Sequence, residues 1–212
     1  LRPQLSYYKA LDDVFEQVEF FVDAVSDYKS DFVLFPEYFN APLMAKFNHL
    51  GEAQSIRGLA QYTEEVRDRF INLAISYNIN IITGSMPYVK EDGGLYNVGF
   101  LVRRDGSYEM YEKVHVTPDE IKSWGLSGGK MVQTFDTDCA KIGILICYDV
   151  EFPELSRIMA DQGMQILFVP FLTDTQNGYS RVRVCAQARA IENECFVVIA
   201  GSVGNFPRVH NM

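Results

Sequence analysis

The sequence predicts a layered α/β fold, and three observations predict it. Short apolar runs without alternation, such as Ile142 to Ile146, read as strands buried on both faces. Between them lie longer stretches whose apolar residues recur at helical spacing. The two patterns alternate along the chain, as they do where helices are layered on sheets. At 212 residues and 48% hydrophobic content the chain can bury a substantial core, and residues 1–212 are expected to form a single domain.

The elements follow in order. Val14, Val18, Phe21, Val22 and Val25 share one helical face, which predicts a helix over 12–29 feeding a strand over 31–35. Pro36 cannot continue a sheet ladder, so Glu37 stands at that strand's exit. A second helix is expected over 56–77, followed by a strand over 79–82 and a hairpin with arms 95–103 and 108–114 around Asp105-Gly106. The second half reads as strand 142–147, helix 153–162, strand 165–169, helix 179–193 and strand 195–200. Residues 1–10 and 206–212 contain no convincing strand.

Composition excludes several classes. A net charge of -9, with no dense basic run interleaved with aromatics, lacks the phosphate-neutralising footprint of a nucleic-acid binder. No apolar stretch of about eighteen residues is present to span a bilayer, and Leu1-Arg-Pro-Gln-Leu-Ser6 lacks the regions of a signal peptide. The expectation is a cytoplasmic protein with no membrane and no nucleic-acid partner. Cys139, Cys147, Cys185 and Cys195 show no CxxC spacing, and His49, His115 and His210 are scattered singly. Free thiols and no catalytic metal are expected.

Three strand exits carry chemistry. Cys147 ends the run Lys141-Ile-Gly-Ile-Leu-Ile-Cys147, Glu37 follows the strand closed by Pro36, and Lys113 stands at the end of the strand after the hairpin turn. In layered α/β folds ligands gather at the carboxyl ends of strands. Taken singly, Cys147 is a small buried hydrophobe, Glu37 a solvated carboxylate and Lys113 a surface charge. Together they supply what acyl transfer through a thiol needs: a nucleophile, a base for its proton, and a positive donor where an oxyanion develops.

The surrounding segments carry a resemblance. Phe35-Pro36-Glu37, Lys113-Val-His115, Cys147-Tyr-Asp-Val-Glu-Phe-Pro-Glu154 and Ala188-Arg-Ala-Ile-Glu-Asn193 occur in that order, with 76 residues from Glu37 to Lys113 and 34 from Lys113 to Cys147. The set resembles the nitrilase, or carbon-nitrogen hydrolase, superfamily over almost the whole chain. It looks most like a bacterial branch often fused behind an N-acetyltransferase-like domain, of which these residues contain no segment. The resemblance implies a four-layer αββα sandwich, here incomplete at both ends, and thiol-dependent hydrolysis of a small linear amide without a cofactor. A nitrilase or an N-carbamoyl hydrolase would use the same residues. The roles it implies are Cys147 as nucleophile, Glu37 as base, Lys113 and the backbone N-H of Tyr148 as oxyanion donors, and Glu120 orienting Lys113 or Glu37. The ordinary reading of Glu120 is a loop or early-helix carboxylate. Homodimers or larger assemblies are implied, pairing through the helix over 179–193 and the helix after Cys147.

Tyr38, Phe39 and Tyr148 stand beside the proposed strand ends as pocket walls or core. The loop Pro170 to Gly178, with Phe171, Thr173 and Asp174, is expected to supply specificity contacts, Asp174 either meeting an amine or serving a turn or a helix cap. Met159, Met164, Val182 and Cys185 fit either a pairing face or the core, and Arg189 and Glu192 read as a structural pair on one helix. Two other classes remain open: a non-catalytic binding module, disfavoured by the cost of burying Glu37 and Lys113, and a redox protein in which Cys139 approaches Cys147 across a strand.

Overall fold

A computed structural model of the protein describes residues 10–202. The expectations on residues 1–9 and 206–212 fall outside that range. Helix α1 (Leu11–Asp27) buries Leu11, Val14, Phe15, Val18 and Val22 along one stripe, and Asp13 caps its start by accepting from the Ala10 N-H at 3.0 Å. Strand β1 (Phe32–Leu34) follows, then a 3-10 turn over Ala41–Phe47. The single helix expected over 56–77 is two, α2 (Glu52–Ala60) and α3 (Thr63–Tyr77). Both carry helical periodicity, so the pattern conceals the break. Thr63 is buried at the start of α3, where its hydroxyl donates to the Pro87 carbonyl at 2.6 Å. Asn78 ends α3 in the left-handed region, with φ +50°.

The first sheet is built on the long strand β4 (Leu95–Val102). One edge of β4 pairs antiparallel with β2 (Asn80–Ile82) and then β3 (Met86–Val89); the other pairs with β5 (Tyr108–Glu112) and then β6 (Leu126–Ser127). Strand β1 lies parallel to β2 on the outside. The hairpin around Asp105-Gly106 forms in the register Val102 opposite Tyr108. The second sheet runs β10 (Phe196–Gly201), β9 (Ile166–Phe171), β8 (Lys141–Ile144) and β7 (Thr134–Asp136), parallel except for the β7 and β8 pair. Strands β3, β6 and β7 are not legible in the sequence, being two to four residues long and, in β3, interrupted by Pro87. Helices α4 (Pro153–Asp161) and α5 (Gln176–Asn193) complete the chain.

Two apolar interiors define four layers. In one, Val18 and Val22 of α1, Phe70 of α3 and Ile81 of β2 are fully or almost fully buried. In the other, Ile82, Leu101 and Tyr111 of the first sheet meet Phe135, Ile144 and Phe168 of the second. Ring pairs cross that interface, Phe32 with Phe168 at 5.1 Å and Tyr111 with Phe135 at 6.4 Å. Met159 of α4 and Val182 of α5 close the far side, so they and Met164 belong to the chain's own core, with Cys185 half-buried at its edge. The order helix, sheet, sheet, helix is the αββα arrangement.

The start of α5 corrects one expectation. Its N-cap is Thr175, whose hydroxyl oxygen accepts from the Gly178 N-H at 3.0 Å, so Asp174 is exposed one residue before the cap and does not make that bond.

Candidate active site

The expected strand over 142–147 stops at Ile144, and Cys147 opens a 3-10 turn over Cys147–Glu151. Its φ of +48° is a left-handed conformation uncommon for a side chain with a Cβ. Asp149 holds this turn. Its buried carboxylate accepts from the N-H groups of Ile146 at 3.4 Å, His115 at 2.6 Å and Val114 at 3.2 Å, joining the Cys147 turn to the segment after Lys113. Arg189 braces it from α5, donating to the carbonyls of Val150 at 3.0 Å and Glu151 at 3.4 Å while its other nitrogen meets Glu192 at 2.6 Å. The expected Arg189 and Glu192 pair therefore exists, with the backbone of the cysteine turn as its further partner.

Glu37 sits beyond β1 in an isolated parallel bridge with Ser85. The close approach rests on Gly84, with φ +71°, where an added Cβ would lie 2.1 Å from the Pro36 carbonyl oxygen. Lys113 is the residue after β5, its N-H still bound to the Asn97 carbonyl at 2.9 Å. The Lys113 ammonium reaches Glu37 Oε1 at 2.9 Å and Glu120 at 2.8 and 2.9 Å, and both Lys113 and Glu37 are only 2% exposed. Glu120 opens a π-helical turn over Glu120–Trp124 and shares a reciprocal cap with Thr117: the Thr117 N-H donates to Glu120 at 2.8 Å, and the Glu120 N-H to the Thr117 hydroxyl at 3.2 Å. Early-helix carboxylate and partner of Lys113 are thus both true of Glu120.

Leu172, just past β9, closes the group. Its N-H donates to Glu37 Oε2 at 2.9 Å, and its carbonyl accepts from the Cys147 thiol at 3.5 Å. Asn97 Nδ2 donates to Glu37 Oε1 at 2.9 Å. Asn97, Asp149 and the Leu172 backbone are site residues that sequence reasoning missed. Asp149 lies inside a segment already singled out, but what it does is a matter of backbone groups distant in sequence.

Electrostatics follow from burial. Desolvation pushes the Cys147 thiol well up, Glu37 adds to the rise and Lys113 opposes it. Burial also raises Glu37, against the pull of Lys113, and the Leu172 backbone bridges the carboxylate and the thiol, its N-H on one and its carbonyl on the other. The Lys113 ammonium is held charged despite desolvation, because Glu37 and then Glu120 favour the cation. The arrangement can pass a proton from thiol to carboxylate beside a fixed positive charge.

Other expected site residues lie further out. Tyr38 is buried, its ring edge on to Trp124 at 5.4 Å and its hydroxyl donating to Glu120 at 3.3 Å. Tyr148 is half-buried against Phe152. Phe171, Thr173 and Asp174 line a cavity of about 430 Å³ with Tyr179 and Ile199, whose wall includes none of Glu37, Lys113 and Cys147. Cys139 precedes β8 whereas Cys147 follows it, so the strand separates the two thiols. Among the described residues no group of three or more His, Cys, Asp or Glu is placed to hold a metal, and no helix is long and apolar enough to cross a membrane.

An αββα sandwich with a buried thiol, carboxylate and ammonium at its strand exits defines a class, and the comparisons place the chain in it. A carbon-nitrogen hydrolase family profile matches residues 3–211, and the chain belongs to that family, within the nitrilase superfamily. A probable hydrolase of Bacillus subtilis (strain 168) is 49% identical over 203 residues, 96% of this chain and 39% of that protein. An omega-amidase of Homo sapiens is 32% identical over 181 residues, 79% of this chain and 61% of the relative. The chain thus spans less than two thirds of the length of either. The crystal structure of an amidase from Nesterenkonia sp. superposes with a TM-score of 0.80 at 22% identity, covering 96% of this chain and 75% of that one. Further structures of the Nesterenkonia amidase show acrylamide added to its active-site cysteine and a variant in complex with butyramide.

Proposed function

We propose that the chain hydrolyses a small linear amide through a thioester on Cys147. The observation that carries this reading is the placement of the Glu37 carboxylate, anchored at Oε1 by Lys113 and joined at Oε2 to the Leu172 N-H, the residue whose carbonyl accepts from the Cys147 thiol. Glu37 takes the thiol proton, and the sulfur attacks the amide carbon. The Lys113 ammonium and the Tyr148 N-H stabilise the oxyanion, the first by turning a donor from its carboxylates toward the new charge. Collapse expels ammonia or an amine carrying the proton from Glu37 and leaves the thioester. Glu37 then deprotonates a water that attacks the acyl carbon, and the thiol leaves with that proton. The butyramide complex of a variant of the Nesterenkonia amidase supports an amide over a nitrile or carbamoyl substrate.

Phe171, Thr173 and Asp174 belong to this reading as outer specificity contacts, and the steps above call on no cofactor. A homo-oligomer is supported by exposed apolar residues on the helical layer, Ile158 of α4 and Val184 and Ile191 of α5, the last 80% exposed. An N-acetyltransferase-like partner domain and a cytoplasmic setting complete the reading. A binding module has no use for a buried ammonium between two carboxylates.

The test is intact-protein mass spectrometry of the wild type and Cys147→Ala after brief exposure to amides, carbamoyl compounds and nitriles, quenched in acid. A substrate-dependent mass increase confined to protein with Cys147 is expected. Turnover undiminished in Cys147→Ala would refute the assignment, and no adduct or product across the panel would favour the binding module.

A further inference from the structure

We infer that Asn97 is a positioning residue that assigns different duties to the two oxygens of Glu37. The inference rests on the reading of Glu37 as base and Cys147 as nucleophile.

Asn97 lies in β4, opposite Pro87 on one side and Lys113 on the other. It is 1% exposed. Burying a primary amide is costly unless its polar atoms are paired. Among the described residues the only side-chain hydrogen bond of Asn97 runs from Nδ2 to Glu37 Oε1 at 2.9 Å, while its Oδ1 has no partner there. The sheet does not need the amide, since β4 is paired through backbone groups. An apolar side chain of similar size would fill the position without leaving an acceptor unpaired. What the amide adds is a second donor on the oxygen that Lys113 also holds.

The consequence is a division of labour. Oε1 accepts from Lys113 and Asn97, whereas among the described residues Oε2 accepts from the Leu172 N-H, the residue whose carbonyl holds the Cys147 thiol. Oε1 is the anchored oxygen and Oε2 the working one that receives the thiol proton. The same residue's carbonyl bonds the Lys113 N-H at 2.9 Å, so Asn97 ties the base and the ammonium to one point of β4. Without the Nδ2 donor the carboxylate can rotate, and its anion loses a charge-assisted hydrogen bond.

The test uses Asn97→Leu, which keeps the bulk, and Asn97→Ser, which is too short to reach Glu37 and guards against failure of the larger residue to fit. The probe is iodoacetamide, with alkylation of Cys147 followed across pH by mass spectrometry of the Cys147 peptide, which separates it from exposed Cys139 and half-buried Cys185 and Cys195, together with butyramide hydrolysis. Loss of the donor favours the protonated carboxylate, so the acid limb of both profiles moves to higher pH by about one unit. The kcat for butyramide falls about ten- to hundredfold per folded enzyme, with KM changing less than about threefold. Asn80→Leu is the structural control: Asn80 is buried but bonds Asp138 and the Asp31 carbonyl, so it lowers the melting temperature and leaves the acid limb in place. An acid limb unmoved in either folded Asn97 variant overturns the inference. If Cys147→Ala retains wild-type turnover, the reading of the site fails instead, which separates the two failures.

Discussion

Replacing Lys113 with Met isolates the role of the buried cation. Met keeps the length of the side chain and removes the charge, leaving Glu37 and Glu120, each bonded to the same ammonium, as two buried carboxylates without it. Removing one partner from a buried ion pair costs about 3–5 kcal/mol, because the remaining charge is uncompensated. For a chain of this length that is a fall in melting temperature of about 6–20 °C. The sign of the pH dependence follows. Burial and Glu120 already raise Glu37, and Lys113 is the largest influence lowering it, so its loss raises Glu37 further. A carboxyl whose folded pKa exceeds its unfolded value binds more protons when folded, so stability falls as pH rises between the two values, by at most about 1.4 kcal/mol per unit for one group. Both proteins therefore lose stability above about pH 4.3, and the variant goes on losing it to higher pH, past the point at which wild-type Glu37 has ionised. Urea unfolding at a series of pH values measures this. Lys113→Met with Glu120→Gln removes one of the two carboxylates and recovers part of the stability, but not turnover. A stability loss below about 1 kcal/mol with an unchanged pH window would refute the account of Lys113 as the buried counter-charge.

Other outcomes are expected. Cys147→Ala abolishes amide turnover and leaves the circular dichroism spectrum unchanged, whereas Cys185→Ala, at the edge of the core, retains activity; equal activity in the two would reject Cys147 as nucleophile. Gly84→Ala drives a Cβ against the Pro36 carbonyl and imposes a left-handed conformation on alanine. It should cost at least about 1–2 kcal/mol in urea unfolding and disturb Glu37 with it, and a neutral result would show that this close approach is dispensable. Asp149→Leu leaves three backbone N-H groups around the cysteine turn without their acceptor, so a loss of about 3 kcal/mol or more is expected. Hydrogen exchange should then speed up at Val114, His115 and Ile146 first.

The sequence by itself determined the layered class, the positions of the longer helices, the hairpin around Asp105-Gly106 and three chemical residues at strand exits. Those features are local: periodicity, turn residues and a proline that stops a ladder are written in neighbouring positions. Tertiary structure decided the rest. The short strands β3, β6 and β7 exist because β4 and β8 offer backbone partners, which no pattern of two to four residues announces. Only folding brings Glu37 to Lys113 across 76 positions and the Leu172 N-H to Glu37 across 135. Asn97, Asp149 and Arg189 acquire their duties from backbone groups and a carboxylate that are distant in sequence. Side-chain chemistry can be read one residue at a time; a hydrogen bond has two ends, and the fold alone sets the second.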